Sequence, residues 1–351
     1  MKIIHTADIH LGSPLSSIED IDKRTIRKNE ILHSFERLVE YANRNDIKII
    51  MMSGDVFDSN SPYKRDKEYF YHLIEKNPHI NFLYLKGNHD ISSKYDEKYP
   101  NLFLFKDTWT QYKFDNVVIS GVELTSDNSK AIYPSLKLDK SNVNIVMMHG
   151  DILSKGANYI SLKDLKNKNI NYLALGHIHE KSLEKLDDSG YYAYSGCLEG
   201  RGFDEPLEKG FYVLNTENDK IDTQFIINSQ RIIHTLDLDI TKANSFGEVK
   251  DLISDLISDI KKEDIIRINL IGDNQIDEDL KDLVNYFSYF YFSIKDKTKR
   301  KINYNDFIND LSLKGEFVRK VLNDNDLTQE EKDEIIYIGL KALRGEVKLW
   351  N

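Results

Sequence analysis

Apolar residues recur along this chain in two rhythms. Short apolar runs at 47–52, 80–85, 117–120, 143–148 and 172–175, mostly bounded by Gly, Asn or Asp, read as buried strands. The opening residues, Met1 to Thr6, read as another. Between the opening strand and 47–52, Ile31, Phe35, Leu38 and Ala42 fall at helical spacing. Ser61-Pro62 then predicts a second helix, with Ser as N-cap and Pro at the first helical position. Residues 191–227 read as a strand meander. An α/β start that passes into β pairing predicts two packed sheets, a β-sandwich flanked by helices.

The pattern changes near residue 230. Residues 231–240 alternate like a strand, and 246–260 carry apolar positions at 249, 252, 253, 256, 257 and 260. Residues 265–271 and 289–294 read as strands again, so 231–302 predicts a small β-α-β-α-β domain. The remainder, 303–351, reads as helices. Thr328-Gln329-Glu330-Glu331 fits a capping box. Ile335, Ile338 and Ala342 form one apolar stripe beside Ile336, Leu340 and Leu343, and Gly345 marks a stop. The expected division is therefore 1–230, 231–302 and 303–351.

Composition narrows the classes. The chain has 351 residues, 40% hydrophobic and 30% charged, which suits a globular protein larger than one small module. Lys and Arg total 48 against 58 Asp and Glu, a net charge of -10. That argues against coating nucleic acid by bulk positive charge, and leaves room for a local basic groove or for cations in an acidic site. Cys197 is the single cysteine, so neither an internal disulfide nor a thiolate zinc site can form. No stretch approaches the ~18 apolar residues of a membrane span. The start reads as a strand, not a signal peptide, so a cytoplasmic location without membrane contact is expected.

Five short polar motifs carry the candidate chemistry: Asp8-Ile9-His10, Gly54-Asp55-Val56-Phe57-Asp58, Gly87-Asn88-His89-Asp90, His149-Gly150 and Gly176-His177-Ile178-His179. Each follows a predicted strand, and residues just beyond strand ends collect along one rim of such a sheet. Asp, Asn and neutral His suit Mn²⁺, Fe²⁺ or Zn²⁺ better than Cu⁺. Strand alternation would aim both polar residues of Asp8-Ile9-His10 and of His177-Ile178-His179 to one side, with the middle residue toward the core. Seven such groups exceed one ion's needs and suit two ions that share a carboxylate.

The five motifs together resemble those of the calcineurin-like metallophosphoesterases. Ile4-His5-Thr6-Ala7-Asp8-Ile9-His10-Leu11-Gly12 is similar to the opening of SbcD-type DNA double-strand-break exonucleases. Tyr194-Ser195-Gly196-Cys197-Leu198-Glu199-Gly200-Arg201-Gly202-Phe203-Asp204-Glu205, with Glu208-Lys209-Gly210, resembles their smaller Firmicute relatives of the YhaO type. The likeness covers roughly residues 1–230. It implies that Asp8, His10 and His179 hold one metal, that Asp55 bridges, and that Asn88, His149 and His177 hold a second. The ions implied are two Mn²⁺, with Fe²⁺, Zn²⁺ or Mg²⁺ as alternatives. His89 would contact the phosphate or protonate the leaving oxygen, and Asp58 would orient His89. Relatives that carry a second His at the position of Asp58 give no role to transfer here.

The resemblance further implies an exonuclease, with endonuclease activity beside it, acting on single- or double-stranded DNA ends. An SbcC-like coiled-coil ATPase is the implied partner, docked on the last helices, and a homodimer is in keeping with the family. Two ions close together would lower the pKa of a shared water and offset charge on phosphoryl oxygens. The rivals are a phosphoesterase for other phosphate esters and a non-catalytic scaffold for the ATPase. Asp58 is followed by Ser59 and Asn60 where protein phosphatases carry Arg, which disfavours that branch. A scaffold has no need of His89.

Other positions have blander readings. His5, His33, His72, His79 and His234 are expected to be packed or hydrogen-bonded, and Cys197 to be a small buried filler. Arg201 divides evenly between a phosphate contact and a surface ion pair with Glu199 or Asp204. Lys295, Lys297, Lys299, Arg300 and Lys301 form a basic run, by default a solvated loop and otherwise a DNA-phosphate contact.

Overall fold

The computed structural model describes residues 1–59, 61–90, 99–128, 131–154, 156, 158–217, 220–276, 278–300 and 304–343. Asn60, Lys301 and Gly345 lie outside them. The chain divides into two compact units, Met1–Ile233 and His234–Asn351.

The first unit opens with β1 (Lys2–Thr6), α1 (Ile21–Arg44), β2 (Ile49–Ser53), α2 (Lys64–Lys76), β3 (Asn81–Leu85) and β4 (Leu102–Leu104). It continues with β5 (Thr110–Phe114), β6 (Val117–Gly121), β7 (Val143–His149), α3 (Leu162–Leu165), β8 (Tyr172–Gly176), β9 (Ser182–Lys185) and β10 (Tyr191–Tyr194). A hairpin of β11 (Gly210–Glu217) and β12 (Lys220–Ile227) follows. Two six-stranded sheets result, ordered β12-β11-β1-β2-β3-β4 and β5-β6-β7-β8-β10-β9. The inner strands β1, β2, β3 and β7, β8 run parallel within their sheets.

Parallel strands covered on both faces read as continuous apolar runs, and the side chains explain why here. Ile3, Met51, Leu83, Ile145, Met147 and Tyr172 fill the layer between the sheets. Their chain neighbours Ile4, Met52, Phe82 and Tyr84 turn outward, against Phe35, Leu38, Phe70 and Ile74 of α1 and α2. Val146, Met148 and Leu173 form a third layer with Leu136 and Leu165. His5 sits fully buried in the middle layer. Its Nδ1 lies 3.0 Å from Tyr172 Oη, and burial drives its pKa down to about 3. Cys197 is also buried.

Two local expectations in this unit need correction. The helix expected at Ser61-Pro62 begins at Lys64, because Tyr63 is extended (ψ 142°) and acts as the N-cap without a side-chain bond. The stretch 191–227 is not one meander. β10 joins the second sheet beside β8, while β11 and β12 extend the first. Segment 195–209 therefore carries the chain from one sheet to the other.

The second unit contains β13 (Ile233–Asp239), α4 (Phe246–Leu256), β14 (Ile265–Ile271), β15 (Asp273–Asn274), β16 (Tyr291–Asp296) and β17 (Lys299–Arg300). β13, β14 and β16 form one sheet in that order. The second helix of the expected β-α-β-α-β pattern is a 3-10 helix, Leu280–Tyr286. α5 (Asn305–Ile308), α6 (Leu313–Leu322) and α7 (Gln329–Leu343) close the chain. Thr328 and Glu331 form the reciprocal capping box: Glu331 Oε2 accepts from Thr328 N at 2.8 Å, and Glu331 N donates to Thr328 Oγ1 at 3.3 Å. Ile336 and Leu340 pack on Val318, whereas Ile335 and Ile338 are exposed. Among the described residues no helix is long and apolar enough to cross a membrane.

Candidate metal centre

The loops after β1, β2, β3 and β8, together with the last residue of β7, bring the five motifs to one place. Main-chain bonds zip the first two loops together: Asp8 N to Gly54 O (3.0 Å), His10 N to Asp55 O (3.0 Å) and Leu11 N to Val56 O (2.9 Å). The convergence of Asp8 with His10 is not strand alternation, because β1 ends at Thr6. Asp8, His10 and Asp55 adopt left-handed backbone with φ of 50°, 50° and 51°, and His177 has φ of 105°. Four non-glycine residues in that region are a local cost that the surrounding packing must over-determine. Ile9, between Asp8 and His10, is buried in the helix-side core as expected.

Besides an outer group of His10, Asp58 and His89, two clusters of donor atoms result, each with its atoms within 4.8 Å of one another: Asp8, His10 and His179, and Asp55, His149 and His177. Asp55 Oδ2 stands between them, 3.8 Å from His10 Nε2 and 3.4 Å from His149 Nε2. Asn88 Oδ1 joins the second cluster, 3.1 Å from His149 Nε2 and 3.0 Å from His177 Nδ1. Both Asp8 oxygens accept from His177 N at 3.0 Å. Gly87 allows the third loop to close on Asp55, since a Cβ there would lie 2.1 Å from Asp55 Oδ1.

The donors fit cations on chemical grounds. His149 Nδ1 is 2.8 Å from Ser53 O, a carbonyl that can only accept, so Nδ1 carries the proton and the Nε2 lone pair faces the oxygens of Asp55 and Asn88. His179 Nδ1 lies 2.7 Å from Glu205 Oε1, which sends its Nε2 toward His10 Nε2 at 3.2 Å. Lone pairs facing lone pairs in a dry site call for a cation between them. The electrostatics agree. Burial pushes the Asp8 carboxyl up to about 7. Burial also disfavours charge on His149, but the Asp55 carboxylate outweighs it and lifts the ring to about 9, so a positive charge at Nε2, whether a proton or a metal ion, is favoured there. Asp55 is itself held low by His149 against the effect of burial.

His89 stands at the exposed side of the site. Its ring lies edge-on to His10 with centroids 4.9 Å apart, and its main-chain N donates to Asp55 Oδ1 at 2.8 Å. Its Nδ1 lies 2.9 Å from the main-chain oxygen of Asp58. Asp58 thus reaches His89 through its main-chain oxygen. Asp58 Oδ1 instead accepts from Arg201 Nη1 at 2.8 Å and lies 3.1 Å from His10 Nδ1.

Arg201 forms an ion pair, but not with the partners expected for it. Its side chain is 17% exposed, and its ion partners are Glu205 and Asp58, not Glu199 or Asp204. Arg201 Nη2 also lies 3.1 Å from His179 Nδ1. Glu205 was not singled out by sequence reasoning as a site residue, although it ties His179 to Arg201. Its carboxyl is held low: burial works against it, but the bonds from His179 and Arg201 prevail. Asp90 was missed as well. It is buried and accepts from Gly87 N (2.6 Å), Val56 N (2.9 Å) and Tyr84 Oη (2.6 Å), locking the third loop to the second. Its place as the last polar residue of a Gly-Asn-His-Asp turn is the one available cue.

Residues 1–181 match the family described as calcineurin-like phosphoesterase. The chain is 26% identical over 359 aligned positions to the DNA double-strand break repair protein Mre11 of Sulfolobus acidocaldarius, covering 90% of this chain and 91% of that protein. It is 23% identical over 284 positions to the metallophosphoesterase YhaO of Bacillus subtilis, covering 75% and 69%. To the SbcD component of the SbcCD nuclease of Staphylococcus saprophyticus it is 24% identical over 270 positions, covering 64% and 68%.

Proposed function

This chain belongs to the calcineurin-like phosphoesterase family, and we propose that the phosphoester it cleaves is the phosphodiester of DNA at broken ends. Relatives named as break-repair and nuclease proteins, matched over most of the chain, support the substrate. The observation that carries the chemistry is the single oxygen of Asp55 that faces both donor clusters.

In this reading Asp8, His10 and His179 hold one divalent ion, Asn88, His149 and His177 a second, and Asp55 both, with Mn²⁺ as the ion. Ions bound there supply activation of water near neutral pH and neutralisation of phosphoryl charge. The protein's own groups do the rest. Asp58 O accepts from His89 Nδ1, which leaves Nε2 as the nitrogen that delivers a proton to the leaving oxygen. Arg201, engaged by Glu205 and Asp58, serves as a brace for His179, not as a first contact for phosphate. Exposed Lys295, Lys297 and Lys299 offer phosphate contacts in the second unit.

An ATPase of the SbcC type is the proposed partner. The C-terminal helices expose an apolar set, Ile308, Leu311, Leu313, Ile335 and Ile338, that is suited to docking. The test is incubation of the pure chain with Mn²⁺ and end-labelled single- and double-stranded DNA, beside a generic phosphate ester. Metal-dependent DNA cleavage is expected. Hydrolysis of the ester alone would move the substrate to another phosphoester, and no hydrolysis of any substrate would leave a scaffold.

A further inference from the structure

A cavity of about 320 Å³ opens between the first turns of α1 and the start of α2. Gly12 and Ser13 form part of its wall. Gly12 is two residues beyond His10, hence within about 7.6 Å of it Cα to Cα, so the cavity adjoins the metal centre. The floor is buried Ser13, Ile31 and Asp66. The mouth carries exposed Lys28, Arg65 and Tyr63, the last with 70% of its surface open. Gly12 has φ of +88°, and a Cβ there would lie 2.9 Å from Asp66 Oδ2 and 3.6 Å from Tyr63 Cδ2. The missing side chain keeps the space open.

Asp66 is the feature that asks for a ligand. Its side chain is 8% exposed, and its ion pair with Arg65 Nε spans 3.6 Å, beyond hydrogen-bond length. Among the described residues its carboxylate accepts no hydrogen bond. A carboxylate that no protein donor meets is left to water, and the cavity it lines is where stronger donors can arrive.

We propose that this cavity binds a guanine base. Guanine alone among the common bases presents two adjacent donors, N1–H and N2–H, which match the two oxygens of Asp66. Adenine and cytosine set a ring nitrogen lone pair beside their amine, and thymine flanks its one N–H with carbonyls, so each turns an acceptor on the carboxylate. The Tyr63 ring offers a stacking face, and Lys28 with Arg65 meet the adjoining phosphates. The proposal takes from the proposed function only that the ligand is a nucleic acid. It adds a preference for guanine next to the scissile position.

Calorimetric titration of the full chain in EDTA with dGMP, dAMP, dCMP and dTMP tests this. dGMP should bind roughly tenfold tighter than the other three. Asp66→Asn should bring the four to near parity, and Tyr63→Ala, at an exposed position, should weaken dGMP severalfold without altering the thermal midpoint. Equal binding of all four, no binding of any, a preference that survives Asp66→Asn, or a Tyr63→Ala variant with unchanged affinity would each overturn it. DNA cleavage is read separately. A guanine preference without cleavage removes the nuclease and keeps the cavity, and cleavage without a preference does the reverse.

Discussion

His89 is held by main chain on one side and by a carboxylate on the other: its ring reaches the carbonyl of Asp58, and its own N–H reaches Asp55. Neither bond places the imidazole in the Asp8 or the Asp55 cluster; with His10 and Asp58 it forms a separate outer group. Replacing the ring should therefore spare metal and cost rate. His89→Ala is expected to lose ~10²–10⁴-fold in kcat with unchanged metal content by elemental analysis. A variant cleaving DNA at near the parent rate would remove His89 from proton transfer. Glu205 acts in the opposite way. It fixes the tautomer of His179 from outside the cluster, so Glu205→Ala should weaken metal binding ~10–100-fold, seen in a Mn²⁺ titration before any assay of rate. The donor residues were legible in the sequence because their types and order are unusual. Glu205 and Arg201 were not, because their importance arises from a fold that brings 199–205 against 177–179, and no spacing rule spans that gap. Asp58 shows the same limit. Its position was visible, but only the coordinates show that its main-chain oxygen reaches His89.

Elements became legible wherever both faces of a strand are buried. The runs at 47–52 and 143–148 map onto β2 and β7 because Ile49, Ile50, Met51 and Met52, and Val143, Ile145, Val146, Met147 and Met148, each meet a core layer. Segment 195–209 has no such pattern, since it crosses between sheets and is fixed by charge. Arg27 of α1 is fully buried. It donates to Glu199 Oε1 (3.1 Å) and to Gly200 O (2.6 Å), and pairs with Glu30. Arg37 reaches Glu199 Oε2 at 2.7 Å, and Gln230 N donates to the same oxygen at 2.9 Å. Glu199 thus joins α1 to the start of the segment that ends in Arg201 and Glu205. Removing one member of a buried ionic cluster strands the others without water, at a cost of roughly 3–5 kcal/mol. Glu199→Ala should fall near the lower end, about 3 kcal/mol, because Glu30 still faces Arg27. Chemical denaturation of the variant measures it. A change below about 1 kcal/mol would mean that the cluster behaves as a surface pair.

The two units have separate cores: the sheet layers of Met1–Ile233, and in His234–Asn351 a group around Ile240, Val249, Ile253, Ile266, Ile268 and Leu270. The donor clusters belong wholly to the first. A ligand that binds only the folded state stabilises it by mass action, about 2.7 kcal/mol at a hundredfold excess over Kd. The gain should be concentrated here, because the site assembles from five separate segments and has no counterpart in the unfolded chain. For a domain of this size that corresponds to a rise of about 5–10 °C in unfolding temperature. Scanning calorimetry of the EDTA-treated chain, with and without Mn²⁺, should therefore show one transition that moves and one that stays. In His149→Ala the moving transition should respond less, since that ring is pinned by Ser53 with its free nitrogen turned toward Asp55 and Asn88. If Mn²⁺ shifted both transitions equally, or neither, the ion would not be binding where Asp55 faces its two sets of donors.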